Sequence, residues 1–176
     1  MLKEALKSQY HASLAMLRDA IERCPDTTWY DPTPVNAFWQ VAYHTVFFAH
    51  AYLQHDRDSV RAWPGQQPPT QNDDGIAGLP DPESELPLVP QPYTKSAVLE
   101  YWEFCDKQVD AWVDALDLTR TECGFRYPLS KLEHQFVNVR HIQHHAAQLG
   151  DRLRAAHNIG IRWVGKGSRA QNAAAR

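Results

Sequence analysis

At 176 residues the chain suits one domain, long enough to bury roughly two-thirds of its unfolded surface in a single core. Its 43% hydrophobic and 22% charged content is ordinary for a globular protein. A net charge of -3 with scattered Lys and Arg excludes the concentrated basic face that nucleic-acid binding by counterion release requires, and no run of ~18 apolar residues predicts a membrane span.

Leu6, Tyr10, Ser13, Leu14, Leu17 and Ile21 recur at spacings of three and four, which predicts a first amphipathic helix from Leu2 to about Arg23. Pro25 should stop it by disfavouring a helical conformation at Cys24. The stretch PDTTWYDPTP reads as a turn, with Trp29 placed to cover one end of a bundle. From about Val35, Ala37, Val41, His44, Phe48, Ala51 and Tyr52 form one face of a second helix, and Trp39, Tyr43 and Phe47 form another. A helix apolar over most of its circumference belongs at the centre of a fold or at a subunit contact.

Arg61 to Pro92 holds most of the prolines and few large aliphatics, so a regular element is not expected there. A connection this long suits either a flap beside a pocket or a crossover between bundle ends. Thr94 can cap a third helix with Val98, Tyr101, Trp102, Cys105, Val109, Trp112 and Leu116 inward, ending near Leu118. After a polar connection, Ser130 can cap a fourth helix from about Lys131 to His157, which Asn158 and Gly160 should stop. The expectation is an all-α four-helix bundle over residues 1–164 with a Pro-rich crossover loop between its second and third helices. The stretch 165–176 has little to bury and is expected to pack loosely.

The segment VRHIQHHAAQLGDRL sets His141 and His145 four residues apart, stacked on one helical face one turn apart. Two such imidazoles can chelate one late first-row divalent metal such as zinc or nickel. His44, on the apolar stripe of the second helix, is the candidate third ligand, because a buried imidazole needs a hydrogen-bond partner or a metal. Three protein ligands leave one or more open positions for water or substrate. Asn138 and Gln148 lie one turn to either side of the pair and can orient a ligand, with ordinary core hydrogen bonding the alternative. His144 faces about 100° away and can support the site or contact another helix. His134 shares the face but lies about 10 Å further along the axis. His11, His50, His55 and His157 read as surface or helix-end residues.

The absence of HExxH argues against a zincin-type protease, and the absence of carboxylates on the His134, Asn138, His141, His145, Gln148 stripe argues against a di-iron centre. Cys24, Cys105 and Cys123 are odd in number, far apart and in no CxxC pair. They support neither a disulfide framework nor a cysteine-bound metal, and a reducing, cytoplasmic setting is expected. The amphipathic start also lacks the apolar run of a secretory signal.

AYHTVFFAHAYL and HIQHHAAQLG, with the trailing IRWVGK, resemble the DinB/YfiT-like superfamily of metal-binding four-helix bundles. The resemblance implies an up-down-down-up bundle, a metal triad of His44, His141 and His145, nickel or zinc as the ion, and frequent homodimers. Some members are transferases that use low-molecular-weight thiols, but a shared fold does not transfer an activity. Three readings stay open: a metal-dependent thiol transferase or hydrolase, a non-enzymatic metal-binding or stress-related interaction protein, and a bundle without metal. No general base is identifiable by spacing.

Overall fold

A computed structural model describes residues 1–67 and 91–174. Most of the segment expected to form the Pro-rich loop, 68–90, lies outside them. The described residues form helices and turns and contain no strand. No helix among them is long and apolar enough to cross a membrane.

Helix α1 spans Leu2–Arg23 and buries Leu6, Tyr10, Leu14, Leu17 and Ile21, the stripe its spacing predicts. It stops at Cys24, whose extended backbone (φ -66, ψ 122) is the conformation a following proline favours. Asp26–Trp29 adds one helical turn, α2, where only an irregular turn was expected. Trp29 is fully buried, and its indole N–H donates to the Tyr93 carbonyl at 2.9 Å.

Helix α3, Phe38–Tyr52, begins slightly later than its apolar pattern, where the Gln40 side chain accepts from the Ala37 N–H at 2.7 Å. Almost all its residues are buried, as a helix apolar over most of its circumference demands. Tyr93 stacks on Tyr43 at 4.4 Å, and Trp63 stacks on Tyr101 at 4.7 Å. Tyr93 thus covers part of the aromatic surface of α3, and Trp63 covers Tyr101 of the helix that follows the long connection. The flanks of that connection also meet each other: Gln67 and Gln91 exchange side chain-to-backbone bonds, and the Gln67 N–H donates to the Tyr93 hydroxyl.

Helix α4, Lys95–Ala115, is capped by Thr94, whose hydroxyl accepts from the Ala97 N–H. It ends three residues before the expected Leu118, because Leu116 is already extended. Helix α5, Lys131–His157, is capped by Ser130 and closed by Asn158 in the left-handed region (φ 55), a conformation asparagine tolerates better than most side chains.

Helices α1 and α3 each pack against both α4 and α5. Along α1 and α5 the partners rise together, Tyr10 with Gln135 and Met16 with Gln143. Along α3 and α5 they run oppositely, Tyr52 with Gln135, Ala49 with Asn138 and His44 with His141. That opposed register brings the second and fourth predicted helices' histidines to one level.

Two histidines expected at the surface are core residues instead. His11 is 1% exposed and places Nδ1 2.8 Å from the buried Asp106 carboxylate. His50 is 4% exposed, bonds the Tyr101 hydroxyl at 2.9 Å and stacks on Trp112. The stretch expected to have little to bury forms a last short helix, α6 (Arg169–Ala174). There the buried Asn172 amide donates to Asp106 at 2.7 Å and to the His11 carbonyl at 3.2 Å. Gly167 makes that docking sterically feasible, since a Cβ there would sit 2.5 Å from the Ala12 nitrogen.

Candidate metal centre

His44 projects from the middle of α3, and His141 and His145 project from successive turns of α5. The antiparallel seam between the two helices brings the three rings together: His44 and His141 have centroids 5.0 Å apart, His44 and His145 5.0 Å, His141 and His145 4.6 Å. One ring nitrogen from each lies within 4.8 Å of the others, a group able to hold a metal ion. Phe48, one turn after His44, packs its ring against both His44 and His141 and walls the core side of the cluster.

All three residues are partly exposed, yet the Nδ1 atoms of His44 and His141 are buried without a hydrogen-bond partner among the described residues. Their Nε2 atoms face each other at 3.0 Å. Two nitrogens bound to one ion at 2.0–2.1 Å would lie about 3.3 Å apart at a tetrahedral angle, so this spacing needs little adjustment.

Burial and the neighbouring His145 hold His44 down to about 3. Burial and the surrounding imidazoles hold His141 down to about 2. Burial lowers His145 as well, partly opposed by its bond to Gln148. The trio is therefore neutral at pH 7, the protonation state in which imidazole donates a lone pair to a metal. Three neutral nitrogen donors on partly exposed residues fit a late first-row divalent ion better than magnesium or calcium, which prefer oxygen.

The residues expected to support the site divide. Gln148 touches it: its side-chain oxygen lies 3.0 Å from His145 Nδ1, so an Nδ1–H donated there leaves Nε2 for the ion. Asn138 instead bonds the Ala49 carbonyl at 3.4 Å, leaving its own side-chain oxygen buried and unmatched among the described residues. His144 is exposed and sets its ring edge-on against that of His145, with centroids 5.0 Å apart. His134 stands apart from the trio, fully buried among Tyr52, Phe125 and Tyr127.

One residue beside the centre escaped the sequence reading. Arg152 follows Gln148 by one turn and donates from Nη1 to the Asn36 carbonyl, just before α3, at 2.7 Å. The signal was available, since 141, 145, 148 and 152 continue one helical stripe.

A family model described as the DinB superfamily matches residues 9–149. The chain belongs to the DinB superfamily. The DinB match takes in His44, His141, His145 and Gln148 and ends before Arg152. No curated protein and no solved structure matches the chain significantly.

Proposed function

We propose that this DinB protein binds one zinc or nickel ion through His44, His141 and His145 and transfers a low-molecular-weight thiol to an electrophilic substrate. The observation that carries the reading is the convergence of three neutral imidazole nitrogens within 4.8 Å, with no fourth His, Cys, Asp or Glu ligand grouped with them among the described residues. A three-ligand set leaves a coordination position for an exchangeable group, the arrangement of catalytic rather than structural sites. When bound, such an ion supplies Lewis acidity, lowering the pKa of a thiol or water enough to make it nucleophilic at neutral pH.

The chain's own contribution is positioning. Gln148 fixes the tautomer and ring plane of His145, Phe48 holds the His44 and His141 rings and shields their inner side, and the exposed edges admit a small molecule. The order of contacts along the helices supports an up-down-down-up course, in which α3 and α5 run antiparallel and hold their histidines level.

The test begins with elemental analysis of protein purified without an affinity tag, where about one equivalent of zinc or nickel is expected. His145→Ala should reduce it to well under one. The loaded protein is then incubated with a thiol panel and a panel of haloaromatic and epoxide electrophiles, following thioether formation. No metal would sink the whole reading. Metal with ester or amide cleavage that is indifferent to thiol would replace transfer by hydrolysis, and metal with neither reaction would favour a binding role.

A further inference from the structure

We infer that Arg152 is a carboxylate-binding residue beside the metal centre, so that the thiol taken by the site carries a carboxylate several bonds from its sulfur. The inference deepens the thiol-transfer reading and rests on it for the sulfur end of the ligand.

Arg152 closes the stripe His141, His145, Gln148, Arg152 on α5. Side chains on a helix lean toward its N-terminus, which directs this one back toward Gln148 and His145. Its Nη1 bond to the Asn36 carbonyl, at 2.7 Å, anchors the guanidinium between α5 and the residues that lead into α3. Only one of its five N–H donors is engaged in a hydrogen bond among the described residues.

Some guanidiniums of this chain find a carboxylate within it. Arg18 pairs with Glu22, Arg23 with Asp19, and Arg162 with Asp19. Arg152 is held by its bond to the Asn36 carbonyl and is partly buried, yet no described carboxylate lies within ion-pair distance of it. A half-buried guanidinium with a free fork and no anion among the described residues is suited to a bidentate ligand carboxylate.

The spacing limits the ligand. Arg152 lies two turns beyond His145, about 10 Å along the axis, a separation shortened by the backward lean of its side chain. A carboxylate adjacent to the sulfur would not span it. One set off by a chain of several atoms would.

Zinc-loaded protein is titrated by calorimetry with 6-mercaptohexanoate, 6-mercaptohexan-1-ol and hexanoate, in the native chain and in Arg152→Gln and Arg152→Lys. The native chain should bind the mercapto acid about tenfold tighter than the mercapto alcohol, one charge-assisted contact's worth. Arg152→Gln should abolish that preference and Arg152→Lys retain part of it, with zinc content equal in all three. No preference in the native chain, or a preference that survives in Arg152→Gln, overturns the assignment. If hexanoate binds as tightly as the mercapto acid and weakens equally in Arg152→Gln, the carboxylate site stands and the thiol reading falls.

Discussion

Gln148 governs which nitrogen of His145 faces the cluster. With its oxygen 3.0 Å from Nδ1, the amide favours the tautomer whose Nε2 lone pair is free, and it limits rotation of the ring. Gln148→Leu keeps the volume and removes the acceptor, so metal affinity should fall about 10- to 100-fold in a chelator competition. Gln148→Glu retains an acceptor and should keep most of it. Equal affinity in Gln148→Leu would show that packing against His44 and His141 alone orients the ring. This contact is legible in the sequence, because Gln148 follows His145 by three residues on a helix. Asn138 carries an equally good spacing, but the α3 backbone at Ala49 competes for its amide, a partner that no within-helix pattern discloses.

Among the elements, the long amphipathic helices were readable because their ends are decided locally. Pro25, Thr94, Ser130 and Asn158 each act within a few residues of the boundary they set. What spacing could not supply was the partner across the bundle. His11 lies off the predicted apolar stripe as a surface residue would, and its pairing with Asp106 from α4 and the docked Asn172 makes it a core residue. Lys131 is a second case. Fully buried at the start of α5, its ammonium donates to the carbonyls of Gln54 at 2.6 Å, His55 at 2.8 Å and Cys123 at 3.0 Å. It thereby ties α5 to the chain leaving α3 and to the α4–α5 connection. Lys131→Met relieves a buried charge but strands three carbonyls, and the net loss should be about 3 kcal/mol. Urea unfolding of the metal-free protein would measure it, and an unchanged midpoint would mean that water replaces the ammonium at no cost.

Across the whole molecule, buried histidines set the pH range of stability, and they act in opposite directions. Burial holds His50 and His134 down to about 4, below the ordinary value near 6.5 that the unfolded chain regains. Between those values the unfolded chain binds protons that the folded chain does not, so stability is intact above pH 6.5 and declines as pH falls toward 4. In the metal-free protein His44 and His141 act in the same sense and carry the decline lower, to about 3 and about 2. His11 behaves oppositely. Burial disfavours its charge, but hydrogen bonds and attraction from Asp106 and Asp110 prevail and raise it above 6.5. Its contribution is complete below pH 6.5 and is lost as pH rises through the raised value. Urea midpoints of the metal-free protein should therefore pass through a maximum near neutrality. His134→Phe should make the acid limb shallower by up to about 1.4 kcal/mol per pH unit for one proton, because its ring nitrogens have no partners to lose among the described residues. His11→Gln should flatten only the alkaline limb. An acid limb equally steep in His134→Phe would place the responsible protons on the other buried histidines or on the carboxylates instead.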